Sequence, residues 1–224
     1  MERWRRATGL EIYEGYGMSE MAPISGTAGS SGVRPGSVGK PVPGSEVQVV
    51  DLDSGLRVLP PGETGELRVR GPHMMTGYRN RPEETARTIR DGFIYTGDIG
   101  YLDEDGFVFI TDRKKDVVFV KGFNVFPREV EEVIHSHPKV GMVAVVGAPD
   151  SRSEGERLVA FIVPRLGEMV DEAEISAHCA SQLVSYKCPS EVRVVGGLPM
   201  TGAQKPDRIT LRRAARGEQE LPAG

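Results

Sequence analysis

The feature that most restricts what this chain can fold into is a change of hydrophobic period at Arg113-Lys114-Lys115-Asp116. Before it, apolar and polar residues alternate in EVQVVD (Glu46–Asp51) and GELRVRG (Gly65–Gly71), with Pro60-Pro61-Gly62 turning between them. That is the period of half-buried strands. Asp105-Gly106 between Ile99–Leu102 and Phe107–Thr111 signals a hairpin. One short helix interrupts the pattern over Arg81–Asp91, with Pro82 in its first turn and acids following. After the tetrad, strand and helix periods alternate. Val117–Val120 reads as a strand, Pro127–Pro138 as a helix with Val130, Val133 and Ile134 on one face, and Val140–Gly147 and Arg157–Val163 as strands. Asp171–Lys187 reads as a second amphipathic helix and Glu191–Val195 as a last strand. The predicted class is α+β. A front part (1–112, β-rich over 46–112) meets a polar, solvated joint (113–116). A small β-α-β-β-α-β domain (117–213) follows, with two helices on one sheet face, then a tail (214–224).

Composition narrows the functions. Of 224 residues, 38% are hydrophobic and 27% charged, which is globular composition. The net charge of −4, with Lys and Arg spread among acids, predicts no nucleic-acid partner. No apolar run approaches the roughly 18 residues of a membrane span, and MERWRRATGLEIYEGYG lacks the apolar core of a secretory signal. Cys179 and Cys188 match no metal spacing and are too few for a disulfide framework, so a cytoplasmic protein with free thiols is expected. SGTAGSSGVRPG (Ser25–Gly36) lacks the lysine-then-hydroxyl ending of a phosphate cradle and reads as a flexible loop.

Several polar groups stand where packing does not ask for them. GYGMSE (Gly15–Glu20) presents a tyrosine, a hydroxyl and a carboxylate on a glycine-flanked loop; by itself it is equally a turn with a capping serine. In YTGD (Tyr95–Asp98) a carboxylate follows a glycine at a strand interruption and is able to accept bonds from two vicinal hydroxyls. By themselves Asp98 also suits a turn, and Arg113 a solvated surface charge. In LPMTGAQKPDR (Leu198–Arg208), Pro199, Gly202 and Pro206 exclude a helix interior, and Pro206 pushes Lys205 toward extended backbone. Alone, Lys205 is an exposed loop lysine.

GYGMSE, GELRVRG with GYRNRPEETA, YTGDIGYLDEDGF, DRKKDVVFVKGFNVFPREVE and LPMTGAQK follow one another from about Ile12 to Arg213. In that order and spacing they resemble the ATP-dependent adenylate-forming superfamily: acyl-CoA synthetases, luciferases and peptide-synthetase adenylation domains. The wording is nearest to the acyl-CoA synthetases. The resemblance implies that Tyr16, with Gly17 beside it, lies against adenine, that Ser19 touches phosphate and that Glu20 holds Mg²⁺. It gives Asp98 the ribose, Arg113 a second nucleotide contact, and Lys115 the hinge. Gly122 would let a pantetheine arm pass, and Lys121 would meet CoA phosphates or be a plain edge-strand charge. Glu129 and Glu131 would only solvate their helix. Lys205 would swing in to bind the carboxylate substrate and the α-phosphate.

The implied function is part of an enzyme joining a small-molecule carboxylic acid, fatty or related, to ATP as acyl-AMP, then to CoA as a thioester. Its ligands would be ATP/AMP, Mg²⁺ and CoA. Family members are more than twice as long, so the resemblance implies a truncated chain, inactive alone: a β-rich remnant of the large adenylating domain followed by the small lid domain. A non-catalytic adenylate-binding module, or half of a split enzyme with a complementary N-terminal half chain, is the alternative. A luciferase-like or carrier-protein-loading domain is a further one. A truncated large domain would leave the apolar faces of strands 46–70 uncovered. Two departures bear on the chemistry. Ser19 stands where threonine is usual, and Gln204 and Pro206 replace the usual glycine and aliphatic residue around Lys205.

Overall fold

A computed structural model of the chain describes residues 2–27, 32–150 and 155–221. They form two compact units, Met1–Lys114 and Lys115–Gly224.

The front unit begins with helix α1 (Glu2–Thr8) and a three-stranded antiparallel sheet, β1 (Gly15–Met18), β2 (Met21–Gly26) and β3 (Lys40–Pro41). GYGMSE is therefore not a free loop: its first four residues are strand, and Ser19-Glu20 make the turn into β2. Part of the glycine-rich stretch Ser25–Gly36 lies outside the described residues. The second sheet is built from β4 (Glu46–Val50), β5 (Gly65–Arg70), β6 (Ile89–Arg90), β7 (Phe93–Leu102) and β8 (Val108–Arg113). Helix α2 (Pro82–Thr88) precedes β6. Strand order is β4-β5-β7-β6, with β8 on β7, all antiparallel.

The β7–β8 turn forms where Asp105-Gly106 predicts it. Asp103 Oδ1 accepts from the Asp105 and Phe107 amides, and Gly106 takes φ +81°. Val47, Val49, Leu67 and Val69 are buried against Met21, Ile24, Ile94 and Val108. The expectation that these strands would stand uncovered is thus wrong. The β1–β3 sheet supplies a covering layer from within the same chain.

The second unit opens with a hairpin, β9 (Val118–Val120) and β10 (Phe123–Val125), joined by two residues of positive φ, Lys121 and Gly122. That pair is the conformation of a tight two-residue hairpin turn. Helix α3 (Pro127–His135), strands β11 (Val140–Pro149) and β12 (Glu156–Pro164), helix α4 (Glu172–Gln182), strand β13 (Glu191–Val194) and helix α5 (Arg208–Ala215) follow. The β11-β12-β13 sheet pairs β12 with β13 in parallel. The first predicted strand is not part of it but of the separate hairpin ribbon.

Helices α3 and α4 pack on one face of this sheet as expected. Val130, Ile134, Ile175 and Cys179 meet Val145, Leu158, Ala160 and Ile162. The opposite face is covered too, by Leu211, Ala214 and Ala215 of α5 over Ala144, Val146, Val159 and Phe161. Sequence reading placed no helix there. Burial on both faces explains why β11 and β12 are nearly continuous apolar runs.

Helix α4 stops at Gln182, before the predicted Lys187, and Leu183 is extended (φ −117°, ψ 148°). Asp171 caps its start by accepting from the Ala173 amide. Two further expectations are overturned. Asp116 of the supposedly solvated joint is buried, paired with Arg212 at 2.6 Å. Glu131 does more than solvate α3: its carboxylate accepts from the Val145 amide at 2.7 Å and pairs with Arg208. Likewise Glu129 binds Lys187 at 2.6 Å.

Candidate functional site

The site is built where β1, its turn and a bulge of β7 converge. Opposite β5, register moves by two residues between the Glu66–Ile99 and Arg68–Tyr95 pairs. Gly97 sits in that bulge at φ +68°, which a side chain would disfavour. Bulges re-aim side chains, and this one turns Asp98 into a cleft. The Asp98 amide donates to Thr96 Oγ1 (3.0 Å), whose hydroxyl donates to the Leu67 carbonyl (2.8 Å).

Asp98 is 6% exposed at its side chain and already has two partners. The Tyr16 hydroxyl donates to Oδ2 at 2.6 Å, and Arg113 Nε lies 2.8 Å from Oδ1. Burial, and then the charge of Asp98, push the Tyr16 phenol well above its ordinary value, so it stays protonated and donates. Each carboxylate oxygen has a second lone pair beyond the partner it already holds. Arg113 is 59% exposed, so its cationic edge remains accessible.

Two neighbours extend this arrangement. Buried Glu66 accepts from Lys114 Nζ at 2.8 Å and from the Gly97 amide at 3.3 Å, tying the bulge to the end of β8. At the other rim, the Tyr78 hydroxyl donates to Glu20 Oε1 at 2.6 Å, a bond that raises the Tyr78 phenol. The Glu20 carbonyl also accepts from the Met75 amide at 2.8 Å. The resulting cleft, about 550 Å³, is lined among others by Tyr16, Ser19, Glu20, Glu66, Asp98 and Arg113.

Six of the ten sequence-predicted residues thus share one cleft: Tyr16, Gly17, Ser19, Glu20, Asp98 and Arg113. Lys115, Lys121, Gly122 and Lys205 belong to the second unit. Gly122 is accounted for by its turn conformation, since a Cβ there would meet nothing within 4 Å. Lys205 lies on a small closed loop with its side chain exposed. Sequence reasoning missed Glu66, Lys114 and Tyr78. Glu66 falls on the polar side of GELRVRG and is buried only because the β7 bulge covers it; no local signal marks that.

A two-unit α+β chain whose front unit gathers a phenol, carboxylates and a guanidinium around a polar cleft fits the adenylate-forming class that its motifs resemble. The comparisons agree. Residues 1–79 match the AMP-binding enzyme model and residues 129–205 the AMP-binding enzyme C-terminal domain model, together more than half of the chain. The chain belongs to the AMP-binding enzyme family. It is 44% identical over 223 residues to a long-chain-fatty-acid–CoA ligase of Salmonella typhimurium, covering 99% of this chain and 39% of that protein. It is 40% identical to the one of Bacillus subtilis, covering 98% and 38%. The chain thus spans about two fifths of the length of these relatives. Among solved structures it is similar to ATP-bound MatB from Rhodopseudomonas palustris, with TM-score 0.90, 35% identity, and 97% and 43% of the two chains covered. It is also similar to the AMP complex of O-succinylbenzoate coenzyme A synthetase from Bacillus subtilis, with TM-score 0.83, 32% identity, and 99% and 44% covered. Among the described residues no helix is long and apolar enough to cross a membrane.

Proposed function

We propose that this chain supplies the nucleotide cleft and the mobile lysine of an ATP-dependent acid–thiol ligase, an acyl-CoA synthetase working in the cytoplasm. The observation that carries the reading is the Tyr16–Asp98–Arg113 cluster: a phenol ring, a carboxylate with spare lone pairs and an exposed guanidinium, held together in one cleft. Adenine would lie on Tyr16 beside Gly17. The ribose hydroxyls would donate to Asp98, and Arg113 would add a cationic contact.

At the rim Ser19 would touch phosphate, and Glu20 fits Mg²⁺ borne by substrate phosphates. One carboxylate is a typical protein contribution for this ion, the remaining ligands being phosphate and water. When bound, the ion would offset phosphate charge; Tyr78 holds Glu20 in place for it. The first half-reaction joins a carboxylate oxygen to the α-phosphorus and expels pyrophosphate. Two anions meet there, and the Lys205 ammonium would neutralise both, worth about 3–4 kcal/mol. In the second half-reaction a thiolate attacks the acyl carbon and AMP leaves. Lys121 and Gly122, at the β9–β10 turn, are the proposed contacts for CoA. A complementary N-terminal half, supplying the acid pocket, belongs to this proposal.

Calorimetric titration with AMP tests the reading. The chain is expected to bind AMP, and Asp98→Asn to weaken binding about tenfold, or roughly 1.4 kcal/mol. Equal binding by both proteins, or no heat with the unaltered chain, would refute the assignment of the cleft.

A further inference from the structure

We propose that Asp116, Arg208 and Arg212 make α5 a rigid strut between the start of the second unit and the tip that carries Lys205. Arg208 and Arg212 are then positioning residues for that lysine. The inference rests on the role proposed above for Lys205.

Along the N-terminal half of α5 lies Asp116, which stands immediately after Lys115 with its side chain only 9% exposed. Arg212 Nη2 donates to Asp116 Oδ1 at 2.6 Å and to the Lys115 carbonyl at 3.2 Å. It therefore grips main chain and side chain of the same short segment. One turn earlier on α5, Arg208 Nε lies 3.7 Å from Asp116 Oδ2. Its Nη1 donates to the Val145 carbonyl at 2.6 Å, and its Nη2 lies 2.9 Å from Glu131 Oε1. Two carboxylates and two guanidiniums, all less than a third exposed, balance one another in a low-dielectric pocket. Removing one leaves a buried charge without its partner, so the group holds or fails together.

At that same N-terminal end α5 grows directly out of the Lys205 loop. Asp207 caps it, accepting from the Ile209 and Thr210 amides, and the Asp207 amide donates to the Pro199 carbonyl at 2.8 Å. The loop then closes on itself. Met200 bridges Pro206, the Thr201 amide donates to the Lys205 carbonyl at 2.7 Å, and the Gln204 amide donates to the Thr201 carbonyl at 2.9 Å. Lys205 therefore rides on a fastened loop, not a slack one. Leu211, Ala214 and Ala215 press the rest of the helix onto the sheet. Because Arg208 directly follows the capping Asp207, displacement of the Lys115–Asp116 segment passes through the first turn of α5 to the tip instead of being absorbed on the way.

Amide hydrogen exchange by NMR on the 224-residue chain tests this without nucleotide. Asp116→Asn is expected to speed exchange at Thr201 and Gln204 at least tenfold, with Ile175 in α4 changing less than twofold. Asp116→Glu should restore most of the protection. Unchanged exchange at Thr201 and Gln204 would overturn the strut. So would a uniform rise across the unit that matches a fall in global stability, since that is loss of fold and not coupling. If Asp116→Asn does not fold, Arg212→Gln and its conservative counterpart Arg212→Lys carry the same comparison. Failure of the Lys205 reading looks different: in a ligase reconstituted with a complementary N-terminal half, Lys205→Ala would keep full pyrophosphate exchange while the exchange pattern at the loop still held.

Discussion

Tyr16→Phe removes one oxygen and one hydrogen bond, and the structure gives its size. The lost bond runs 2.6 Å to a carboxylate whose side chain is 6% exposed. A bond to an ionised acceptor contributes about 1.5–3 kcal/mol. Tyr16 is only half-buried and water is able to replace its hydroxyl in part, so about 1.5–2 kcal/mol is expected near neutral pH. A pH signature accompanies it. The phenol of Tyr16 is raised in the folded unit above its ordinary value of 10.0, because burial and the Asp98 charge disfavour the phenolate. Above about pH 10 the unfolded chain has lost that proton and the folded chain keeps it. Tyr16's contribution to stability is therefore complete below pH 10 and shrinks as pH rises, by about 1.4 kcal/mol per pH unit. The phenylalanine protein lacks this slope. Urea titrations at pH 7, 10 and 11, followed at the methyl resonances of buried Ile94 and Ile99, measure both effects. The difference between the two proteins should be largest at pH 7 and smaller by about 1 kcal/mol at pH 11. A pH 7 difference below about 0.5 kcal/mol, with parallel alkaline slopes, would refute the proposed bond and its environment.

Two substitutions test the fold that supports these sites. Leu211→Ala, at a fully buried position of α5, should cost about 2–4 kcal/mol in urea unfolding of the second unit; a cost under 1 would mean α5 is not part of that core. Gly100→Ala should cost about 3 kcal/mol or more, because a Cβ there would stand 2.0 Å from the Phe109 carbonyl oxygen in the paired strand; near-neutral stability would contradict the β7–β8 register.

Much of the molecule is legible in its residues. Local rules set the hairpin at Asp105-Gly106, the cap at Asp171 and the apolar runs of β11 and β12, since turns, caps and periodicity depend on neighbours in the chain. The ordered motifs likewise point to Tyr16, Asp98 and Arg113 before any coordinates exist. Helix α5 escapes that reading because Gly202 and Pro206 break the pattern just before it. Its eight residues carry three arginines, and only Leu211, Ala214 and Ala215 mark a buried stripe.

Pairings across long separations had to wait for the tertiary structure. Tyr16 and Asp98 lie 82 residues apart, Glu66 and Lys114 lie 48 apart, and Arg212 and Asp116 lie 96 apart. No local pattern records such contacts. In the sequence Glu66, Asp116 and Glu131 look like solvated acids; folding removes water from each and supplies its cation or amide. A side chain's period in the chain tells which way it faces, but whether a charge is buried and paired depends on what the rest of the fold lays over it.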